Sequence, residues 1–172
     1  AEKIISLHGA VPATIALIKG KIKVGLSKDE LKFICNDKSM KKLTTTDLSS
    51  NILKKNSGGT TVAASLFIAN ILNIKVFVTG GIGGVHQNFK NNFDISADLV
   101  EISKSNIITI CSGPKAILDI PKTIENLETL GVQFYTYKSK TIPQFWSRSS
   151  EVLSNNCVNK LNDFVKIFQI NN

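Results

Sequence analysis

From Thr60 to Asn73 the sequence is apolar almost throughout, and it runs through Lys75-Val-Phe-Val-Thr79 into Gly80-Gly-Ile-Gly-Gly84. A helix that is apolar all round is a buried one. A short branched run that follows it and ends in glycines reads as a buried strand. The same alternation continues downstream. Ser96 starts a helix carrying Leu99, Val100 and Ile102, and Ile107 to Cys111 reads as a second buried strand. Lys115 to Leu130 is mostly helical, with Pro121 marking a break or a new first turn, and Val132 to Tyr137 is a third strand. Strands of this apolar kind, alternating with helices, need cover on both faces. The expectation is an α/β fold, three-layer α/β/α, with a mixed, largely parallel central sheet.

The flanks carry more local signals. Val11 to Leu17 and Lys21 to Gly25 are separated by Lys19-Gly20, the pattern of a hairpin with a two-residue turn. Ser27-Lys-Asp-Glu30 has the spacing of a capping box ahead of the stripe Leu31, Ile34 and Cys35. Thr45, Thr46 and Asp47 suit the start of a helix over Leu48 to Lys55, ending near Gly58-Gly59. Beyond Ser150 the character changes. Val158, Leu161, Val165 and Phe168 keep helical spacing among Asn, Lys and Asp, so residues 151–172 read as a tail with an amphipathic helix after a domain of residues 1–150.

Composition narrows the function classes. With 42% hydrophobic and 20% charged residues, the 172-residue chain supports a packed core rather than a disordered, collagen-like or coiled-coil protein. No apolar run approaches a membrane span, and the amino end has no signal-peptide pattern. Cys35, Cys111 and Cys157 are odd in number and widely spaced, which fits neither a disulfide framework nor a zinc site and suggests a reducing compartment. The net charge of +8 raises the question of nucleic acid, yet Arg148 is the only arginine among 21 basic residues. Readers of DNA and RNA favour the bidentate arginine fork, so a lysine-coated, solvated surface is the simpler reading.

Ligands of open α/β sheets bind beyond the carboxyl ends of parallel strands, which points to two loops. Thr79 to His86 holds four glycines in five residues; it either lets backbone amides approach an anion or makes a tight turn. It is neither a dinucleotide fingerprint nor a P-loop. The other loop is Ser112-Gly-Pro-Lys115. A lysine near the amino end of a helix and beside an apolar sheet is pushed toward its neutral amine, a nucleophile able to form a Schiff base with an aldehyde. Between them, Asp94-Ile-Ser-Ala-Asp98 sets two carboxylates around a hydroxyl. Asp98 suits the first turn of a helix capped by Ser96, whereas Asp94 suits a hard divalent cation held largely through water. His86 is either a polar contact or a proton carrier.

These segments in this order resemble the pseudouridine-5′-phosphate glycosidase family, also called indigoidine-synthase-A-like proteins. The segments are Gly9-Ala-Val-Pro-Ala-Thr-Ile15, Lys42 before Thr-Thr-Thr-Asp-Leu, Gly58-Gly-Thr-Thr-Val-Ala-Ala64, Thr79-Gly-Gly-Ile-Gly-Gly-Val-His86, Asp94-Ile-Ser-Ala-Asp98, Lys115 before Ala-Ile-Leu-Asp-Ile-Pro121, and Phe145-Trp-Ser-Arg-Ser-Ser150. The resemblance implies reversible cleavage of the carbon–carbon glycosidic bond of pseudouridine 5′-phosphate, giving uracil and ribose 5-phosphate. It implies that Lys115 is the nucleophile, that Asp94 is a ligand of Mn²⁺ or another divalent cation, and that Lys42, Val62, Ser96, Ala97 and Asp98 bind substrate. By the same resemblance His86 is expected to contact substrate in the catalytic centre, and Arg148 to support a phosphate or a neighbouring subunit's site. A cytoplasmic homotrimer acting on small molecules, with no nucleic acid or membrane partner, is the accompanying expectation.

The departures define the alternative. The family's general-acid glutamate stands on a segment ahead of the Gly9 motif, which Glu2 does not match, and its Asn-Pro segment lies beyond the motifs present. Pro114 and Gln87 replace a small residue and a common arginine. The rival reading is a non-catalytic sugar-phosphate or nucleotide binder of the same ancestry.

Overall fold

The computed structural model describes residues 2–87 and 93–170. The chain divides into two compact units, Ala1–Ser65 and Leu66–Asn172, with helix Val62–Ile71 running across the division.

The first unit opens with helix α1 (Glu2–Leu7), whose Glu2 carboxylate accepts a hydrogen bond of 2.6 Å from the Thr14 hydroxyl. Strands β1 (Ile15–Ile18) and β2 (Lys21–Val24) form the expected hairpin. Its turn residues Lys19 and Gly20 both have positive φ, 48° and 74°, the backbone that matches strand twist. A four-stranded sheet follows in the order β2-β1-β4-β3, where β3 is Lys41–Leu43 and β4 is Gly58–Thr60. β1 pairs with β4 antiparallel, and β3 pairs with β4 in parallel. Ala16, Leu17, Leu43 and Leu48 are its buried apolar residues, joined by Ala63 and Ala64.

Helix α2 (Lys28–Asn36) carries the capping box anticipated from Ser27 and Glu30: the Ser27 amide donates to Glu30 Oε2 at 2.9 Å, and the Glu30 amide to Ser27 Oγ at 3.2 Å. That backbone bond from Ser27, followed by Lys23, holds the Glu30 carboxyl below its ordinary range.

Helix α3 (Leu48–Leu53) departs from expectation at both ends. A single 3₁₀ turn, Thr45–Asp47, precedes it, and the Thr44 amide donates to Asp47 Oδ2. It ends well before Gly58-Gly59, because Lys55 supplies the left-handed residue (φ 54°) and the Asn56 amide group donates to Asn51 Oδ1. Gly58 and Gly59 therefore belong to β4. A Cβ on Gly58 would lie 2.7 Å from both the Leu43 side chain and the Lys41 carbonyl, so glycine here permits close strand approach.

The second unit begins within α4 (Val62–Ile71), which is apolar on all sides as anticipated, with Leu66, Ile68 and Ala69 buried. β5 (Val76–Val78) and β6 (Ile108–Ile110) pair in parallel. The sequence marks both as buried strands, yet Val76, Val78 and Ile110 are exposed. Helix α5 (Ala97–Lys104) is capped by Ser96, whose Oγ accepts from the Asp98 amide. Helix α6 spans Ile120–Thr129, shorter than the run from Lys115 suggests. Asp119 is its cap, accepting from the Lys122 amide, and Pro121 sits in its first turn. Around α6, Leu118, Ile120 and Ile142 form a core against which Ile124, Phe134 and Val152 pack.

The third predicted strand shrinks to β7 (Thr136–Tyr137), paired in parallel with β8 (Cys157–Val158). Val158, which shares the helical spacing of the tail, thus lies in a strand. Helix α7 (Leu161–Ile170) follows, and Phe164 meets the rings of Tyr135 and Tyr137 edge-on at 6.3 and 6.1 Å. The architecture is α/β, with parallel pairing in three of the five ladders between named strands. No described helix is long and apolar enough to cross a membrane.

Candidate functional site

The two loops singled out from sequence leave the carboxyl ends of β5 and β6 and stay together. The Thr79 amide donates to the Ile110 carbonyl, Ser112 to Gly80, Ile82 to Gly113 and Lys115 to Ile82, at 2.8 to 3.2 Å. These bonds extend the parallel ladder of the strands, with an Ile82 to Pro114 bridge at its end. Lys115 is therefore fixed by its own amide beside Ile82, in the middle of the glycine segment.

The other side of that segment is held by the Asp94 to Asp98 run. The Gly83 amide donates to Asp98 Oδ2 at 2.8 Å, and Asp98 is only 6% exposed. The Ser96 amide donates to the Gly84 carbonyl, and the His86 amide to the Asp94 carbonyl, both at 3.0 Å. His86 Nδ1 stands 3.8 Å from Asp94 Oδ2, with both side chains about half exposed. Residues 82–86 thus form a central extended segment, flanked by Asp94–Asp98 and by Pro114–Leu118.

This placement revises the role of the glycines. Gly80, Gly81, Gly83 and Gly84 all lie outside the positive-φ region, so they do not make a tight turn. Nor do the amides of Ile82, Gly83, Val85 and His86 face an open anion site, because each already donates to a protein acceptor. The glycines are needed for space. A Cβ on Gly83 would fall 2.1 Å from Ser96 Oγ, one on Gly84 2.4 Å from Thr123 Oγ1, and one on Gly80 2.7 Å from the Phe145 ring.

Lys115 departs from expectation in one respect. The chain after it makes a turn, in which the Leu118 amide donates to the Lys115 carbonyl, and the helix starts only at Ile120. The positive end of that helix dipole therefore lies at Asp119 to Lys122. The Asp119 carboxylate offsets it, and the Lys122 ammonium donating to Asp119 lowers that carboxyl's pKa. Cys111, on the strand side of the loop, is pushed up by burial.

Of the remaining predicted residues, Ala97 is exposed in the first turn of α5. Arg148 is exposed in the segment after Gln144, which reaches the site loops through the Phe145 amide donating to Ser112. Lys42 and Val62 belong to the first unit. Lys42 is exposed on β3 opposite Gly59, and Val62 opens α4 after Thr61, whose amide donates to the Leu43 carbonyl. They too stand at the carboxyl end of a parallel strand pair.

Sequence reasoning missed Thr123. It is fully buried, accepts from the Val85 amide at 3.0 Å and donates to the Asp119 carbonyl at 2.7 Å, so it ties the glycine segment to α6. Its only signal is a hydroxyl four residues past the cap, in a helix whose start the sequence misplaces. Pro143 is a second omission: its carbonyl packs where a Cβ of Gly113 (φ 91°) would be, at 1.9 Å.

For a metal, no group of three or more His, Cys, Asp or Glu gathers among the described residues. A half-exposed carboxylate beside an imidazole fits a hard divalent cation held chiefly through water, rather than an all-protein cage.

The family model described as "Indigoidine synthase A like protein" matches residues 1–172. The pseudouridine-5′-phosphate glycosidase of Petrotoga mobilis is 52% identical over 151 residues, covering 88% of this chain and 49% of that protein. That of Staphylococcus aureus is 48% identical over 151 residues, covering 88% and 49%. The chain spans about half the length of the curated relatives it matches. Among solved structures, the prealnumycin C-glycosynthase AlnA in complex with ribulose 5-phosphate superposes with a TM-score of 0.92 at 34% identity, covering 98% of this chain and 56% of that one. An indigoidine synthase A-like protein of Thermotoga maritima gives 0.89 at 33% identity, with the same coverage.

Proposed function

Because this chain belongs to the indigoidine synthase A-like family, we propose that it carries the lysine and metal side of a pseudouridine-5′-phosphate glycosidase site. The observation that carries the reading is the set of backbone bonds gathering Lys115, His86, Asp94, Ser96 and Asp98 around residues 82–86, beyond the ends of two parallel strands. Names of relatives at about half identity and a ribulose 5-phosphate complex of a close structural neighbour support it.

A carbon leaving group cannot depart by protonation of a heteroatom, so the electrons need another route. The Lys115 amine attacks C1′ of the sugar while the C1′ to ring-oxygen bond breaks, and the ring oxygen leaves as a hydroxyl by taking up the proton that the attacking nitrogen gives up. The nitrogen lone pair then forms the C1′=N bond as the C1′ to C5 bond breaks. The departing pair stays on C5 of the base, which takes a proton from the general acid implied ahead of the Gly9 motif, giving uracil. Water adds to the Schiff base at C1′ and expels the lysine, releasing ribose 5-phosphate.

The other residues bind and orient. Asp94 would hold Mn²⁺ or a similar cation, which supplies positive charge to substrate oxygens. Asp98 and Ser96 fix residues 83 and 84, His86 contacts substrate and carries a proton, Ala97 lies beside them in the substrate-binding set, and Lys42 and Val62 of the first unit are substrate-binding positions by the family resemblance alone. Arg148 takes a phosphate, its own or that of a neighbouring subunit in a homotrimer. A cytoplasmic setting fits a substrate of nucleotide breakdown. The test is uracil release from pseudouridine 5′-phosphate with Mn²⁺. Turnover lost in Lys115→Ala upholds the reading; binding of ribose 5-phosphate without turnover favours the non-catalytic alternative.

A further inference from the structure

Trp146, the only tryptophan of the chain, is 85% exposed. A single exposed apolar side chain ordinarily needs no explanation. This one stands at the tip of a turn that is tied to the site loops and held in a costly backbone conformation. The Gln144 amide donates to the Ser147 carbonyl at 3.1 Å and the Ser147 amide to the Gln144 carbonyl at 3.2 Å, which leaves Phe145 and Trp146 as the two residues of a hairpin turn. Phe145 has φ 46°, in the left-handed region that such turns usually give to glycine or asparagine. A bulky side chain persists there only where its surroundings over-determine it.

Those surroundings are the two loops beyond β5 and β6. The Phe145 amide donates to the Ser112 carbonyl, and the Ser112 amide to the Gly80 carbonyl, both at 2.8 Å. The Phe145 ring lies against Gly80 and Gly81, where a Cβ would stand 2.7 and 2.9 Å from it. The Trp146 indole in turn rests on Phe145, with ring centroids 4.5 Å apart and planes inclined by 53°. The strained turn thus fixes the indole without burying it, on a segment bonded to the loop that carries Lys115. Arg148, two residues further on, is exposed as well. A planar ring laid on the indole and an anion on the guanidinium are the two ends of a nucleoside monophosphate.

We propose that Trp146 is the stacking platform for the pyrimidine base of the substrate, with Phe145 as its fixed support. The inference rests on the reading proposed above, which supplies the uracil base, and adds the group that receives it. Stacking engages the face of the base and leaves its C5 edge free to take a proton.

The single indole is its own reporter. Intrinsic fluorescence of the chain is titrated with pseudouridine 5′-phosphate and with ribose 5-phosphate. The expected result is saturable quenching by the first and an unchanged spectrum with the second, which has no base. Lys115→Ala should quench as the unsubstituted chain does. In equilibrium dialysis, Trp146→Ala, folded by circular dichroism, should bind pseudouridine 5′-phosphate about tenfold or more weakly, and Trp146→Phe, which keeps a ring, within about threefold of the unsubstituted chain. Both variants should still form the borohydride-trapped ribose 5-phosphate adduct at Lys115, so failure of the lysine chemistry and failure of the platform are read separately. Absence of quenching, quenching that never saturates, or equal binding by Trp146→Ala and the unsubstituted chain would overturn the proposal. So would a blue-shifted emission that depends on protein concentration, because a second copy would then cover the ring.

Discussion

Glycine serves two ends here, turning and close packing, and the balance between them differs in the two units. In residues 1–65, Gly20 and Gly25 have φ of 74° and 81° and allow the chain to turn, with Gly20 closing a hairpin written in the local sequence. In residues 66–172, Gly80, Gly81, Gly83 and Gly84 have ordinary backbone angles and are required by what packs on them: Phe145, Ser96, Asp98 and Thr123, all distant in sequence. A turn glycine is replaceable wherever space is open, whereas a contact glycine transmits its loss to every segment it touches.

The largest effect should come from Gly113→Ala, where positive φ and the Pro143 carbonyl act together. We expect a loss of about 3 kcal/mol or more in denaturant unfolding, since backbone atoms cannot step aside. Gly84→Ala meets a buried side chain instead and should cost roughly 1–3 kcal/mol. By contrast, Gly59→Ala has nothing within 4 Å of the new methyl and should change stability by less than about 0.5 kcal/mol. Equal losses at positions 84 and 59 would break the comparison.

Thr123→Val keeps shape while removing the acceptor for the Val85 amide, and should cost about 1–3 kcal/mol; Thr123→Ser should restore most of it. Amide exchange at Val85 is the specific readout, faster in the valine variant alone. A smaller effect is expected from Asp119→Ala, about 1 kcal/mol for a lost helix cap. The Asp119 carboxyl is held low in the fold, chiefly by Lys122, so its contribution is complete above the unfolded pKa and disappears as pH falls through the lower folded value. Wild type and variant should therefore converge in stability below about pH 4. Smallest is a rate difference: Cys111, with its thiol raised by burial, should alkylate roughly tenfold more slowly than exposed Cys35 and Cys157.

The same contrast explains what was legible. The Lys19-Gly20 hairpin and the Ser27–Glu30 capping box are short-range bargains between neighbours, so spacing alone reveals them. The α/β alternation was visible for the same reason. The glycine cluster could be located but not interpreted, because its partners Ser96, Asp98, Thr123 and Phe145 converge only in the fold. The start of α6 was misplaced because apolar residues at Ala116 to Leu118 mimic helical spacing, while the Asp119 cap and Pro121 decide the issue. Likewise the branched runs of β5 and β6 mark the strands themselves, whereas their burial, expected from the same runs, is absent at Val76, Val78 and Ile110.

Lys115 as nucleophile is the claim on which the functional account stands. The direct measurement is borohydride reduction in the presence of ribose 5-phosphate, followed by peptide mapping of every lysine. The account predicts a stable pentose-phosphate adduct at Lys115, dependent on the sugar and absent from Lys115→Ala. An unmodified Lys115, or labelling spread evenly over the surface lysines, would contradict it.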